Sequence, residues 1–205
     1  MPESPSPGTQ RFDEMFRESD DPWQFRTRWY EVRKRALTLA CLPDRRYANG
    51  YEPGCANGEL SAELATRCDR LLASDVSPRA VELARQRLAA FPHAQVVEAH
   101  LPEGWPEGSF DLIVISELGY FLDAQGVDAL GDSAKASLRP GGTVLACHWR
   151  RPIQGGSLDG DAVHERLAQR LGMVVLSELR EADFVLHVWS DDARSVAQRE
   201  GFDWD

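Results

Sequence analysis

The amino-acid sequence predicts an α/β fold with a doubly wound, mostly parallel sheet of seven strands that ends in an antiparallel hairpin. Three observations lead to this prediction. Apolar runs of strand length alternate with segments of helical periodicity, a glycine-rich turn joins the first strand to the next helix, and only three residues separate the last two strand-like runs. Alternation at this spacing indicates parallel strands joined by helical crossovers, whereas a three-residue connection allows only a reversed strand.

The predicted elements follow from apolar spacing and from residues that start or stop helices. Apolar side chains at helical spacing predict the first helix, which Pro43 ends. Leu60 and Leu64 share one face of the second helix, and Ser77 and Pro78 supply the N-cap and first position of the third. The fourth strand is apolar along nearly its whole length, which predicts burial on both faces. Helices are expected at 30–42, 59–68, 77–90, 123–138 and 163–171, and strands at 47–52, 70–75, 95–98, 110–116, 142–149, 173–180 and 184–190.

Composition indicates a single globular domain. The 205 residues are 42% hydrophobic and 27% charged, which is typical of one soluble domain with a proper core. Residues 1–19 are expected to be a disordered tail, because the chain begins with a polar, proline-rich segment that lacks the apolar stretch of a signal peptide. Residues 20–205 are expected to form the domain, with 20–42 as an N-terminal cap.

Net charge and cysteine usage narrow the classes of partner. A formal net charge of -10 argues against sequence-independent binding to nucleic acid, which needs clustered lysines and arginines. No apolar run has membrane-spanning length, so no membrane partner is expected. The four cysteines lack metal-ligand spacing, and we expect reduced thiols in a cytoplasmic protein without a metal site. The oligomeric state is left open.

The run Tyr-Glu-Pro-Gly-Cys-Ala-Asn-Gly at 51–58 is the most informative segment. Its glycines let the backbone approach a ligand where a Cβ would block it. Asp75, about 20 residues after the turn, is placed to accept hydrogen bonds from a ribose diol. Glu52 precedes the first glycine, where a carboxylate would repel a pyrophosphate but would suit a cationic amino-acid group. A nucleoside cofactor is therefore predicted, and a nicotinamide-dependent oxidoreductase is disfavoured.

Together with Leu-Arg-Pro-Gly-Gly at 138–142, this run resembles the class I S-adenosylmethionine (SAM) methyltransferases, with Ala56 in place of the usual second glycine. The resemblance implies a Rossmann-like methyltransferase fold, with SAM as cofactor and S-adenosylhomocysteine (SAH) as product. In such sheets ligands bind beyond the carboxyl ends of the strands. The residues expected to bind the cofactor are Glu52, Gly54, Cys55, Ala56, Asn57, Gly58, Asp75, Val76, Ala99, His100, Leu101, Ser116, Glu117 and Leu118.

Structural roles remain open for some of these residues. Gly58 could be a packing glycine, and Asp75 could cap the helix region at Ser77. Cys55 is more typical of a small buried filler than of a reactive thiol. His100 stands where the fold commonly has an acidic residue that meets the adenine amino group, so ligand contact and a solvated loop are both open.

Two further clusters extend the resemblance to the nodulation protein S (NodS) group of methyltransferases, over about residues 20–190. The clusters are Asp-Pro-Trp and Trp-Tyr-Glu-x-Arg-Lys before the first strand, and His-Trp-Arg-Arg-Pro at 148–152. Members of the group methylate the free amine of a deacetylated glucosamine in a chitooligosaccharide, which implies an amino sugar or similar small polar amine as acceptor. Aromatic faces and planar polar groups suit sugars. The expected acceptor-binding residues are Trp23, Trp29, Tyr30, Arg33, Tyr120, Trp149, Arg150 and Arg151.

His148 and Glu117 are the candidate catalytic residues. An attacking amine must be unprotonated, and alignment with the sulfonium methyl can supply most of the catalysis. His148 has a near-neutral intrinsic pKa and is the candidate base, while Glu117 could orient or attract an ammonium. A structural role for His148, packing roles for the tryptophans and surface roles for the arginines are the alternatives. An O-methyltransferase and a SAM-binding protein without transfer activity also remain open.

Overall fold

A seven-stranded sheet forms the centre of the computed structural model, which describes residues 7–202. The strands are β1 Gly50–Pro53, β2 Leu71–Asp75, β3 Ala94–Glu98, β4 Phe110–Ser116, β5 Leu138–Trp149, β6 Val174–Arg180 and β7 Phe184–Ser190. They lie in the order β3-β2-β1-β4-β5-β7-β6. β7 runs antiparallel to both of its neighbours, and all other neighbouring strands are parallel. The predicted doubly wound fold with its antiparallel hairpin is therefore confirmed.

Helices pack against this sheet and connect its strands. They are α1 Pro7–Glu18, α2 Trp29–Ala40, α3 Glu59–Ala65, α4 Pro78–Arg87, α5 Ala124–Ser137, α6 Gly160–Leu171 and α7 Val196–Arg199, with a 3-10 turn at Gly119–Phe121. The predicted helices and strands are present, and most of their ends agree within a few residues. Within residues 7–202, no helix is long and apolar enough to cross a membrane.

The expectation of a disordered tail over residues 1–19 is wrong for α1. Phe16 of this helix is buried against α4. Asp13 Oδ1 accepts a hydrogen bond from Ser77 Oγ, 3.0 Å away, at the start of α4. A mainly polar sequence concealed the helix, because only a few aromatic contacts and hydrogen bonds, among them those of Phe16 and Asp13, attach it to the domain. Residues 1–6 lie outside the described part of the chain.

Each face of the sheet carries its own hydrophobic cluster. Side chains alternate between the two faces along a strand, and β5 shows this most clearly. Leu145 and Cys147 belong to the cluster that includes side chains of α3 and α4, whereas Val144 and Ala146 belong to the cluster under α5 and α6. The sheet is therefore covered on both sides, as its apolar central strands require.

The order of the strands places the carboxyl ends of β1, β2 and β4 side by side. The chain leaves β1 toward β2 on one side, while β4 lies on the other side of β1. This reversal is the topological switch point at which open α/β sheets bind ligands. Helix α2 reaches the same edge, because Lys34 contacts Glu117 directly after β4.

Gly58 sets the distance between α3 and α4. It is the N-cap of α3 and has a φ of +80°. A Cβ at this position would lie 2.9 Å from Ala84 Cα. Both the left-handed backbone and the close approach of α4 therefore favour glycine.

Replacement of Gly58 by alanine is expected to destabilise the protein more than replacement of Gly141. Both glycines have left-handed φ values, but a Cβ at Gly141 would meet nothing within 4 Å. The left-handed backbone alone costs about 1–2 kcal/mol, and overpacking adds about 1–3 kcal/mol. Urea denaturation should therefore give a larger loss in the free energy of unfolding for Gly58→Ala. Equal losses in the two variants would show that the contact with α4 is not constraining.

Candidate active site

A cavity of about 780 Å³ opens at the carboxyl ends of β1, β2 and β4. Every residue expected to bind the cofactor lines this cavity except Gly58, whose place is the contact between α3 and α4. Four of the residues expected to bind the acceptor also line it: Trp23, Tyr30, Tyr120 and Trp149. One continuous space therefore brings together residues from both predicted groups.

The glycine-rich turn after β1 is held by the neighbouring strand. Gly54 N and Cys55 N both donate to Ser74 O, at 2.7 and 2.9 Å. Gly54 and Ala56 adopt left-handed φ values of +73° and +50°. For alanine this conformation costs about 1–2 kcal/mol, so the turn stores strain where it borders the cavity. Such strain persists only where the surrounding structure imposes it, and it is frequent at functional sites.

Asp75 has a structural role and also borders the cavity. Its Oδ2 accepts from Ala56 N at 2.9 Å, and its Oδ1 accepts from Ser77 N at 3.0 Å. A carboxylate offers about four lone-pair sites, so each oxygen retains capacity for a second donor. The two backbone bonds hold the carboxylate in a fixed orientation. A ribose diol would therefore meet a preorganised acceptor.

Glu52 is a buried carboxyl group with an unused acceptor. Its Oε2 has no hydrogen-bond partner among the described residues. Burial, with a further contribution from the charge of Asp75, raises the pKa of Glu52 to about 8. A cationic ligand would stabilise the ionised form, because a buried charge needs a partner. Glu52 and Asp75 together fit a nucleoside that carries an ammonium group, as SAM does.

The remaining cofactor-side residues differ in their exposure. Burial raises the pKa of the Cys55 thiol well above its usual value, which agrees with a buried filler and not with a reactive thiol. His100 lies at the rim of the cavity, with an exposed side chain whose Nε2 is 3.9 Å from Glu98 Oε1. Asn57 Nδ2 donates to the carbonyl oxygen of Asp20 at 3.1 Å. This bond attaches the N-terminal cap to the cofactor turn.

Lys34 occupies a central place that sequence reasoning missed. Its Nζ lies 2.5 Å from Glu117 Oε1 and 3.0 Å from Glu31 Oε2, and the residue is only 5% exposed. Burial alone would lower the pKa of Lys34, but the two carboxylates outweigh it and raise that pKa. Burial alone would raise the pKa of Glu117, but Lys34 outweighs it and lowers that pKa. Both groups are therefore held in their charged forms.

Glu117 joins this pair to the acceptor side of the cavity. Its Oε2 accepts from the Tyr120 hydroxyl and from Trp149 N, the latter at 3.0 Å. Its φ is +55°, which is uncommon for a residue with a Cβ. The backbone and three donors thus fix the direction of the carboxylate.

Tyr30 and Glu31 add polar groups that are not fully engaged. The Tyr30 hydroxyl is buried and has no hydrogen-bond partner among the described residues. Burial raises the pKa of Glu31, although the charge of Lys34 opposes the shift. Both residues line the cavity. They offer a hydroxyl and a carboxyl group to an acceptor.

The structure contradicts the expectation that His148 contacts the acceptor. The ring is fully buried and does not line the cavity. Its Nε2 accepts from Gly119 N at 3.0 Å, and its Nδ1 faces His164 Nε2 at 3.0 Å. Burial lowers the pKa of His148 to about 4. The structural alternative therefore fits the ring, and its two nitrogens have no free position for a substrate proton.

Four of the expected acceptor-binding residues do not line the cavity. Trp29 is 72% exposed. The three arginines form ion pairs instead, namely Arg33 with Glu181 at 2.6 Å, Arg150 with Asp161 at 2.8 Å, and Arg151 with Asp183 at 3.4 Å. Surface pairing, the alternative open for these arginines, therefore describes them better in this conformation.

Trp23 combines packing with its place at the cavity. Its ring contacts Phe16 and stacks on Phe25, with centroid distances of 5.5 and 5.4 Å.

Among residues 7–202, no group of three or more His, Cys, Asp or Glu side chains could hold a metal ion.

Curated proteins similar to this chain include nodulation proteins. It is 31% identical to nodulation protein S of Rhizobium tropici over 161 residues, and 36% identical to nodulation protein S of Bradyrhizobium diazoefficiens over 104 residues. These matches cover 78% and 50% of this chain. The chain spans only 62% and 50% of the lengths of these curated relatives.

Solved structures with the same fold include proteins that are named as methyltransferases. A protein of Pseudomonas syringae, named provisionally as a methyltransferase, is 59% identical, with a TM-score of 0.72 and coverage of 80% of this chain and 99% of that one. The N-methyltransferase NodS of Bradyrhizobium japonicum WM9, in complex with SAH, is 23% identical, with a TM-score of 0.78 and coverage of 91% and 100%. The second likeness supports the fold alone.

A match to a family model gives stronger evidence of the family to which the chain belongs. The model of nodulation protein S (NodS) matches residues 10–172, which is most of the chain and includes the turn after β1, the acceptor side and β5. The resemblance inferred from sequence motifs is therefore confirmed, and this chain belongs to the nodulation protein S (NodS) family.

Proposed function

We propose that this protein is a SAM-dependent N-methyltransferase that methylates the amine nitrogen of a small polar acceptor such as a deacetylated amino sugar. One observation carries the proposal. A single cavity joins the site proposed for the nucleoside, at Glu52 and Asp75, to a wall of tyrosines and carboxylates at Tyr30, Tyr120, Glu31 and Glu117. Membership of the NodS family supports the same reaction. The four free cysteines support a cytoplasmic location.

On the cofactor side, two carboxylates would bind different parts of SAM. Asp75 would accept from the ribose hydroxyls, and Glu52 would pair with the ammonium of the methionyl part. The turn Gly54–Ala56 brings backbone close to that part with little side-chain bulk. SAM, when bound, supplies an electrophilic methyl group on its sulfonium sulfur.

On the acceptor side, the charged states of Glu117 and Lys34 favour an amine. Glu117 is a weak base because Lys34 lowers its pKa, and the Lys34 ammonium has no lone pair to accept a proton. His148 is outside the cavity. A hydroxyl acceptor needs a base in the transition state, whereas an amine can lose its proton to solvent before it attacks. Glu31 and the Tyr30 hydroxyl would then orient the nitrogen.

The aromatic lining supports a sugar as the carrier of that amine. Tyr30 and Trp149 meet edge to face with a centroid distance of 5.5 Å, and both line the cavity beside Tyr120. Aromatic rings present an apolar face together with a polar edge. This combination matches the C–H faces and hydroxyls of a pyranose.

An acceptor panel tests the proposed reaction. We expect SAH to form with glucosamine oligosaccharides whose terminal amine is free. The matched N-acetylated oligosaccharides should give only background rates, because their nitrogen has no available lone pair. Transfer to phenols or sugar hydroxyls alone would indicate an O-methyltransferase. SAH binding without transfer to any member of the panel would indicate a binding protein.

Binding of SAH is expected to release a proton from Glu52. The pKa of Glu52 is raised from 4.5 to about 8 without ligand, so the group is mostly protonated at pH 7. A bound ammonium favours the carboxylate and lowers that pKa, so protons are released between about pH 5 and 8 and affinity rises with pH over this window. Calorimetry in two buffers of different ionisation enthalpy measures the release.

A matched pair of variants assigns the proton to its source. Glu52→Gln should abolish the release. Glu59→Gln should retain it, because Glu59 already pairs with Arg26 and Arg87, each at 3.1 Å. Unchanged proton release in Glu52→Gln would place its source elsewhere and remove Glu52 from the ammonium site.

A further inference from the structure

Three histidines that are distant in the sequence form a continuous hydrogen-bonded chain. His148 lies on β5, His164 on α6 and His187 on β7. His148 Nδ1 lies 3.0 Å from His164 Nε2, and His164 Nδ1 lies 2.7 Å from His187 Nδ1. This histidine chain runs from the fully buried ring of His148, beside the candidate active site, to the partly exposed ring of His187 at the opposite end.

The backbone of Gly119 fixes the direction of this histidine chain. Its N–H donates to His148 Nε2, so that nitrogen carries no proton and the proton of the neutral ring lies on Nδ1. His148 then donates to His164 Nε2, and His164 donates through Nδ1 to His187 Nδ1. His187 keeps its proton on Nε2, which lies 3.6 Å from Glu178 Oε1. The neutral chain therefore has one consistent set of tautomers.

The inner end of the histidine chain holds the acceptor wall, which is the part of the cavity lining formed by Glu117 and Tyr120. Gly119 stands between Glu117 and Tyr120, both of which line the cavity. On its other side there is little space, since a Cβ at Gly119 would overlap Val163 of α6. The bond to His148 therefore fixes the turn that carries both acceptor-side groups.

The outer end of the chain is open to solvent. His164 and His187 line a second cavity of about 510 Å³ at the surface. The charged groups facing His187 are Glu178 and Arg180 of β6 and Asp161 of α6. Burial lowers the pKa of His187, and the charge of Glu178 opposes that shift.

The two inner rings are poorer sites for a proton. Burial lowers the pKa of His164 well below its usual value, and the neighbouring His148, His187 and Arg180 lower it further. His148 faces the opposite charges of Glu117 and Lys34, and burial dominates its pKa. In acid the first proton is therefore expected at His187.

We propose that the histidine chain positions the acceptor wall and that protonation of His187 reverses the chain. With a proton on its Nδ1, His187 becomes the donor, so His164 must accept at Nδ1 and carry its own proton on Nε2. His148 must then accept at Nδ1 and carry its proton on Nε2, where it opposes the N–H of Gly119. One proton is gained, at His187, while each inner ring keeps one. The effect on turnover rests on the proposed function, whereas the tautomers do not.

The first test compares pH profiles of His187→Asn and the natural protein. The asparagine oxygen can take the acceptor position of Nδ1 but does not titrate. For the natural protein, kcat at saturating acceptor should fall about tenfold per pH unit below the apparent pKa of the chain. His187→Asn should keep its neutral-pH turnover and lose this acid limb. Protonation of the amine acceptor affects both proteins equally, so the ratio of their rates is the readout.

His93→Gln is the matched control. His93 is not part of the histidine chain, and its Nε2 contacts Ala65 O at 2.9 Å. This variant should therefore keep the acid limb. An acid limb of equal size in His187→Asn would overturn the switch. Loss of the limb in both variants would also overturn it.

The second test needs no turnover. Nitrogen-15 NMR of the natural protein should show protons on Nδ1 of His148 and His164 and on Nε2 of His187 at neutral pH. On acidification, the two inner rings should change tautomer together, with a shift of the Gly119 amide signal. A different neutral pattern, or acid titration of His187 without change in the inner rings, would contradict the proposal even if no acceptor is ever found.

Discussion

The ion pair between the buried Lys34 and the partly buried Glu117 is the interaction on which the arrangement of the cavity depends. It joins α2 of the N-terminal cap to the residue directly after β4, and Glu117 also binds the backbone of Trp149 at the end of β5. Removal of one partner from a buried pair typically costs about 3–5 kcal/mol, because the other charge stays behind without compensation. The pair therefore holds α2 against the ends of β4 and β5, and the position of Glu117 in the cavity wall depends on contacts from both sides.

Backbone strain marks both halves of the cavity. Ala56 and Glu117, on the sides proposed for the cofactor and for the acceptor, have left-handed φ values, and each is held by hydrogen bonds to a neighbouring strand. Strain of this kind is stored where the surrounding structure over-determines a residue, and such residues cluster at functional sites. The strain at Ala56 and Glu117 therefore lowers the stability of the protein at two places where the direction of the backbone and side chains determines what can bind.

The fold, and the gathering of the residues expected to bind the cofactor around one cavity, could be predicted from the sequence because the signals are local. Strand and helix periodicity and the turn at 51–58 are properties of short segments, and the switch-point rule then brings Asp75 to the same edge. Lys34 could not be recognised, since Glu31 and Lys34 three residues apart on a polar helix are typical of a solvated pair. The choice between a catalytic and a structural His148 could not be made from the sequence, because its partners, Gly119 and His164, are distant along the chain. Helix α1 was assigned to a disordered tail because tertiary contacts, and not its composition, attach it to the domain.

Direct identification of the methylated product tests the central claim, that the cavity aligns an amine with the cofactor methyl group. SAM labelled with carbon-13 at the methyl group would be incubated with the protein and a glucosamine oligosaccharide that carries one free terminal amine. The account predicts a single labelled product whose proton–carbon NMR spectrum shows the methyl group bonded to nitrogen, with no labelled O-methyl signal. A labelled methyl group on a hydroxyl oxygen, with the amine unmodified, would contradict it.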